Sequence, residues 1–199
     1  MFSLSIKVTG FNNRPAGFLE KTRGAFTVDF KSKIREIPDF PREGMNYKDI
    51  STLLLDSAAY RQAVQQLVRL CQHKKADLIV CPKPRGLLIG APMAYIMGTG
   101  LVSLSKPDNL PEGEFVWHYD LEFGEECLAI NKETIKPGMK VLIVDELVAT
   151  GGTAATAIKL VEKLGGVVVG TVFLIELTGL GGRVKLQDYD TISLVQYNY

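Results

Sequence analysis

Hydrophobic residues follow two patterns along the chain, a helical spacing and short uninterrupted runs. A predicted helix begins at an Asp56 N-cap and ends near His73, and one of its faces carries apolar side chains at i, i+4, i+7, i+8 and i+11: Tyr60, Val64, Leu67, Val68 and Cys71. Further helices are predicted over residues 87–97 and 152–164. Continuous apolar runs, typical of strands buried on both faces, alternate with these helices: residues 77–81, 101–105, 141–144 and 167–177. This alternation indicates an α/β domain with a mostly parallel sheet.

Residues 141–153 carry the clearest chemical signal. A predicted strand over residues 141–144 is followed by two adjacent carboxylates, Asp145 and Glu146, and Thr150-Gly-Gly-Thr153 then opens a helix. Such a turn can direct backbone N–H groups and two hydroxyls at one point before a helix N-terminus, which suits a phosphate monoester. The carboxylates can hold vicinal ribose hydroxyls, directly or through a divalent cation. We therefore predict a site for a phosphorylated ribose, with a plain acid-capped helix as the alternative.

Composition limits the function classes. A chain of 199 residues fits one domain, and its formal charge of +1 gives no reason to expect nonspecific binding to nucleic acid or membranes. Three widely spaced cysteines indicate neither a disulfide framework nor a zinc site, and Cys71 and Cys81 lie in apolar patterns typical of core residues. No stretch has the length of a membrane span, and no secretory signal is evident. We expect a cytoplasmic protein.

The thirteen residues 141–153 resemble the 5-phosphoribosyl-1-pyrophosphate (PRPP) motif of type I phosphoribosyltransferases. Other segments, in the same order along the chain, resemble adenine phosphoribosyltransferases in particular: Ile34–Pro41 with Gly44 and Lys48–Ile50, Arg85-Gly86 with Gly90–Pro92, Leu121–Gly124, and Glu176-Leu177 with Gly182-Arg183. The resemblance spans about residues 33–187. Several independent segments make it more specific than one motif alone.

The resemblance implies a fold and an activity. The fold would be that of type I phosphoribosyltransferases, a mostly parallel twisted sheet flanked by helices, with a small N-terminal hood over the base site. The chain would divide into an extension of strands packed on the core (residues 1–30), the hood (31–50) and the core (51–199). The family transfers phosphoribose from PRPP to N9 of adenine, giving AMP and pyrophosphate with Mg²⁺, in purine salvage. A homodimer is also implied.

The resemblance also assigns site residues. Asp145 and Glu146 would hold the ribose hydroxyls, and the 5'-phosphate loop would be Ala149, Thr150, Gly151, Gly152 and Thr153. The pyrophosphate loop would be Lys83, Pro84, Arg85 and Gly86, and the base would lie among Asn46, Tyr47, Lys48 and Leu177. The catalytic candidates would be Glu122, near the base, and Lys106, at the start of a loop. Mg²⁺ would be held mainly by PRPP, with Asp145 and Glu146 as candidate ligands.

Several positions depart from the family pattern. Ser105 and Asn109 stand where the family has cations, and Phe123 lacks the hydroxyl of the usual tyrosine. Lys83-Pro84 replaces a pair joined by a cis peptide bond. Because a cis bond costs about 2.5–4 kcal/mol before other residues and only about 0.5–1 kcal/mol before proline, we expect a cis Lys83–Pro84 bond.

These departures leave three hypotheses. The first is an adenine phosphoribosyltransferase. The second keeps the reaction but changes the base, to a 6-oxopurine or another heterocycle. The third is a regulator that binds PRPP or a nucleotide with little or no catalysis.

Overall fold

The computed structural model describes residues 28–82, 84–104, 115–121 and 124–198, and only the backbone over 115–121 and 124–127. In chain order the elements are β1 (Arg35–Ile37), β2 (Tyr47–Asp49), α1 (Ser51–Leu55), α2 (Ser57–Cys71), β3 (Leu78–Cys81), α3 (Leu87–Met97), β4 (Gly100–Ser103), β5 (Phe115–Leu121), β6 (Gly124–Ile130), β7 (Lys140–Val148), α4 (Gly152–Lys163), β8 (Val167–Leu177), α5 (Gly182–Lys185) and β9 (Thr191–Tyr197). Residues 1–27 of the predicted extension, the Lys83–Pro84 bond, Lys106 and Glu122 lie outside these residues.

Five strands form a parallel sheet in the order β4-β3-β7-β8-β9. Strands β3 and β7, in the middle of this sheet, consist mainly of buried aliphatic residues, which the uninterrupted apolar runs predict. Successive side chains of β7 alternate between two hydrophobic clusters, with Leu142 and Val144 in one and Val141 and Ile143 in the other. The predicted α/β class with a parallel sheet is therefore confirmed.

Helices cover both faces of this sheet. Helix α2 begins after Asp56, whose carboxylate accepts hydrogen bonds from Ala58 N at 3.1 Å and Ala59 N at 3.0 Å, so the predicted N-cap is confirmed. Helices α2 and α3 pack on the cluster that holds Leu142, and α4 packs on the cluster that holds Ile143. Within the described residues, no helix is long and apolar enough to cross a membrane.

Two short antiparallel pairs lie outside the main sheet. Strands β1 and β2 pair with Glu36 opposite Lys48 and form the segment predicted as the hood. Strands β5 and β6 pair antiparallel, with Phe115 opposite Ile130 and Leu121 opposite Gly124. The sequence analysis predicted that the central strand ends at residue 144, but β7 continues through Asp145 and Glu146 to Val148. Asp145 and Leu147 pair with Phe173 and Ile175, so the ladder with β8 holds the carboxylates in extended backbone.

Candidate active site

The two carboxylates of the central motif differ in their surroundings. Asp145 is 5% exposed, and its Oδ1 accepts a hydrogen bond from Glu146 N at 2.9 Å. Glu146 is half-buried and follows on the opposite side of the strand. Both lie near the carboxyl end of β7, the edge where open α/β sheets bind ligands. A buried carboxylate and a half-buried one therefore lie at the edge of the sheet where the ribose site is predicted.

The predicted phosphate turn is closely packed against another part of the backbone. Gly151 has φ of +76°, and a Cβ placed on it would lie 2.6 Å from the carbonyl oxygen of Gly182. In return, a Cβ on Gly182 would lie 2.4 Å from the carbonyl oxygen of Ala149. Helix α4 begins at the next residue, Gly152, and the first-turn N–H groups of a helix have no acceptor within it. A turn that leads into a helix N-terminus is an arrangement that can bind phosphate, and the assignment of this turn stays a prediction.

The predicted pyrophosphate loop is a 3-10 turn over Pro84–Gly86, between β3 and α3. A Cβ on Gly86 would lie 2.7 Å from Asp145 Oδ1 and 2.9 Å from the carbonyl oxygen of Val144. Since real Cβ atoms do not come so close, only glycine allows this turn to lie against β7. The loops predicted for pyrophosphate and for ribose are therefore in direct contact.

Arg85 connects three segments that the sequence analysis predicted separately. Its Nε lies 3.1 Å from Glu146 Oε1, and its NH2 group donates a hydrogen bond to the Tyr47 hydroxyl. The guanidinium carbon also lies 5.2 Å from the centre of the Tyr47 ring, within the range of a cation–π contact. The pyrophosphate turn, the ribose motif and the hood therefore meet at one side chain.

The remaining base-site candidates are placed differently. Lys48 is buried, with its Nζ 2.6 Å from Glu36 Oε2 and 4.1 Å from the centre of the Tyr197 ring. Tyr197 pairs with Leu177 across β8 and β9, so these contacts attach the hood to the carboxyl end of the sheet. Asn46 is exposed just before β2. Lys48 thus attaches the hood to the sheet, and the base contacts assigned to Asn46, Tyr47, Lys48 and Leu177 stay predictions.

An ion pair that the sequence analysis did not assign supports the phosphate turn. Glu176, 4% exposed, accepts hydrogen bonds from Arg183 Nε at 2.6 Å and Arg183 NH2 at 2.8 Å, and further ones from Ser193 and Gln196. Burial alone would raise the pKa of Glu176, but the hydrogen bonds from Arg183 and Ser193 outweigh it and lower that pKa. Arg183 follows Gly182, so the pair fixes the segment against which the phosphate turn packs.

The sequence contained two signals for this support. Gly181 and Gly182 are adjacent, and an acidic and a basic residue lie seven positions apart around them. Neither signal reveals the backbone contact between Gly182 and Ala149, because those residues are far apart in the sequence. The link between Arg85 and Tyr47 had no sequence signal at all.

Cys71 and Cys81 are buried in the hydrophobic core. Burial raises the pKa of Cys71 to about 11 and that of Cys81 to about 12. These raised pKa values favour the protonated thiols at neutral pH, and the full burial of both side chains confirms the prediction that they are core residues. No group of three or more His, Cys, Asp and Glu side chains suited to a metal occurs in the part of the chain that the structure describes.

Comparison with known proteins places this site in a family. A model described as phosphoribosyl transferase domain matches residues 49–196. The adenine phosphoribosyltransferase of Pelotomaculum thermopropionicum is 67% identical over 172 residues, which are 86% of this chain and 100% of that relative. The chain belongs to the adenine phosphoribosyltransferase family. The resemblance stated from the motifs is confirmed, and so is the enzyme class, a phosphoribosyltransferase.

Solved structures of the family agree with the fold. The adenine phosphoribosyltransferase of Thermoanaerobacter pseudethanolicus matches with a TM-score of 0.81 at 47% identity, covering 84% of this chain and 97% of that one. The Saccharomyces cerevisiae enzyme, solved with adenine and an imino-altritol bisphosphate, matches with a TM-score of 0.76 at 33% identity over 82% of this chain and 95% of that one. The predicted type I phosphoribosyltransferase fold is therefore confirmed.

Proposed function

We propose that this protein transfers the 5-phosphoribosyl group of PRPP to adenine, giving AMP and pyrophosphate. The observation that carries the proposal is the convergence of three predicted segments at Arg85, which contacts Glu146 and Tyr47. Each segment suits one part of the two substrates. Membership of the adenine phosphoribosyltransferase family, with 67% identity to one member, favours adenine over other bases.

PRPP would lie along the carboxyl end of β7. Its 5'-phosphate would bind the turn of Ala149–Thr153 at the N-terminus of α4, and Asp145 and Glu146 would accept hydrogen bonds from the ribose hydroxyls. Its pyrophosphate would bind Arg85, whose planar guanidinium can hold two phosphate oxygens at once. Lys83, the neighbouring cation in the sequence, is assigned to the same group as a prediction.

Adenine would bind between the hood and the end of β8. The Tyr47 ring would pack against the base, and Leu177, half-buried at the end of β8, would give an apolar contact on the sheet side. Asn46 would supply a polar contact to the edge of the base. Lys48 would act indirectly, because its pair with Glu36 keeps the hood against Tyr197.

In the reaction, adenine N9 forms a bond to the ribose C1' as the bond from C1' to the pyrophosphate oxygen breaks. The pyrophosphate leaves with the electron pair, and N9 loses its proton. Positive charge develops on the ribose ring, as in glycoside hydrolysis, so the nearby carboxylates Asp145 and Glu146 favour it electrostatically. Arg85 and Lys106 would stabilise the departing pyrophosphate, and Glu122 would assist with the proton of the base; both Lys106 and Glu122 stay predictions.

The residues present suit Mg²⁺ brought in with PRPP. Mg²⁺ prefers one or two carboxylates together with substrate phosphates and water rather than a cage of protein ligands. Asp145 and Glu146 supply two adjacent carboxylates near the pyrophosphate turn, and the described residues offer no group of three or more acidic, His or Cys ligands. When bound, Mg²⁺ would neutralise charge on the pyrophosphate.

A panel of bases tests the proposal. Purified protein is incubated with Mg²⁺, PRPP and adenine, hypoxanthine or guanine, and nucleotide formation is followed by chromatography. We expect AMP from adenine and no nucleotide from the 6-oxopurines. Product from hypoxanthine or guanine alone would contradict the assigned base. Binding of PRPP without turnover of any base would contradict catalysis and favour the regulator.

The domain division is part of the same proposal. We propose that residues 1–30 are an extension, 31–50 the hood and 51–199 the core, since the P. thermopropionicum relative aligns in full with 172 residues of this chain. A variant without residues 1–27 should keep the AMP-forming activity, and loss of that activity at retained folding would contradict the division. The homodimer implied by the family resemblance and the cytoplasmic location expected from the composition stay predictions, and light scattering of the purified protein tests the dimer.

A further inference from the structure

Arg85 contacts Glu146, the Tyr47 ring and the Tyr47 hydroxyl. The substrates would use Glu146 and the ring, but not the hydroxyl. The Arg85 side chain is 45% exposed and pairs with Glu146, whose side chain is only 13% exposed. Its other hydrogen-bond partner is the hydroxyl of Tyr47, the ring of which belongs to the base side of the site. The ribose motif and the base-binding hood are thus linked through one cation.

PRPP would change the contact between Arg85 and Glu146 and leave the hydrogen bond from Arg85 to Tyr47 intact. Its ribose hydroxyls compete for Glu146 while its pyrophosphate competes for Arg85, so both members of this ion pair gain a new partner from the same substrate. The phenol of Tyr47 is a weaker ligand for a phosphate than the guanidinium is. Because arginine has five N–H donors in a planar fork, Arg85 can bind pyrophosphate and still donate to Tyr47.

We propose that the Tyr47 hydroxyl couples the two substrate sites, so that an anion bound at Arg85 raises the affinity of the hood for adenine. The inference rests on the proposed function and assigns Tyr47 a positioning role within it. Pyrophosphate restrains Arg85, and Arg85 restrains the orientation of the Tyr47 ring through the hydroxyl. Adenine then binds to a Tyr47 ring whose orientation is already fixed, so less conformational entropy is lost when the base binds.

The hood geometry makes this route specific. Phe40 contacts the Tyr47 ring edge-on, with ring centres 5.5 Å apart, but has no polar atom to offer Arg85. Lys48, the next residue after Tyr47, pairs with Glu36. Arg85 donates a hydrogen bond to the Tyr47 hydroxyl, and Tyr47→Phe removes this link between the hood and the pyrophosphate turn while the ring stays.

The test is a binding cycle without chemistry, because pyrophosphate and adenine together lack ribose and cannot react. Calorimetry measures the Kd of adenine with and without saturating Mg²⁺-pyrophosphate for the wild type and Tyr47→Phe. We expect pyrophosphate to tighten adenine binding by about fivefold or more in the wild type, the lower end of usual coupling between sites, and by less than about twofold in Tyr47→Phe. The quantity compared is the ratio of the adenine Kd without pyrophosphate to the Kd with it. A general loss of adenine affinity in Tyr47→Phe changes both Kd values and leaves this ratio unchanged.

Tyr189→Phe is the matched control, since it deletes a hydroxyl that bonds Glu162 at 2.7 Å, at neither predicted substrate site. This variant should keep the wild-type ratio. Equal ratios in Tyr47→Phe and the wild type would overturn the inference, as would a wild-type ratio of one. If the wild type binds neither adenine nor pyrophosphate, the proposed function fails and the inference fails with it. Binding of both ligands with no coupling would overturn the inference alone.

Discussion

Replacing Gly151 by alanine tests whether the phosphate turn depends on close backbone packing. The substitution adds a Cβ to a residue with φ of +76°, where an ordinary side chain costs about 1–2 kcal/mol. The same Cβ would lie 2.6 Å from the carbonyl oxygen and 3.2 Å from the Cα of Gly182. These are backbone atoms that a side-chain rotation cannot move away, so overpacking adds about 1–3 kcal/mol. Gly151→Ala should therefore destabilise the fold by about 2–5 kcal/mol.

Gly181→Ala is a matched control in the segment that packs on this turn. Gly181 has φ of +67°, but a Cβ there would have nothing within 4 Å. Only the backbone cost of about 1–2 kcal/mol applies. For a protein of this size, about 2–4 °C of Tm per kcal/mol gives a fall of about 4–20 °C for Gly151→Ala and about 2–8 °C for the control.

Thermal unfolding followed by circular dichroism, together with a PRPP titration, measures both effects. We expect the KM for PRPP to rise about tenfold or more in Gly151→Ala, which is the loss of roughly one charge-assisted hydrogen bond, and to stay near the wild-type value in Gly181→Ala. Equal losses of stability in the two variants would refute the packing argument. An unchanged KM for PRPP in Gly151→Ala would refute the assignment of the turn to phosphate.

Three further predictions follow from single groups. Asp145→Asn should lower kcat/KM for PRPP by about ten- to 150-fold, since a hydrogen bond to a charged group contributes about 1.5–3 kcal/mol; an unchanged value in steady-state assays would remove Asp145 from the ribose site. Glu176→Gln should lose a similar about 1.5–3 kcal/mol of stability at pH 7. Because the folded pKa of Glu176 is lowered, its contribution is present above the unfolded pKa of about 4.3 and lost as pH falls through the folded value, so urea unfolding of the two proteins should converge in acid. Cys71 and Cys81, with pKa values of about 11 and about 12, should escape iodoacetamide at pH 8 until guanidinium unfolds the chain, and peptide mass spectrometry of native protein would expose any error.

The sequence predicted the elements well where local chemistry determines them. The Asp56 cap, the helix over Leu87–Met97 that ends at Gly98 and the strand over Val167–Leu177 all occur as expected. The predicted end of β7 was wrong. Polar residues after an apolar run usually lie outside the sheet, whereas here the ladder with β8 keeps Asp145 and Glu146 in the strand.

Contacts between distant segments could not be predicted from spacing. Tyr47 and Arg85 are 38 residues apart, and their hydrogen bond depends on how the hood packs on the sheet. Likewise, the motif assigned Lys48 to the base, but the fold turns its ammonium toward Glu36 and Tyr197. Local patterns determine elements and ligand types, and only the packed chain determines which side chains meet.

The central claim is that this site converts PRPP and adenine into AMP and pyrophosphate. A direct measurement is ³¹P NMR of purified protein with Mg²⁺ and PRPP, recorded before and after adenine is added. The account predicts that the PRPP signals persist before the addition and are then replaced by AMP and pyrophosphate in equal amounts. Persistence of PRPP after adenine is added, by protein shown to be folded, would contradict the account, as would release of pyrophosphate without AMP.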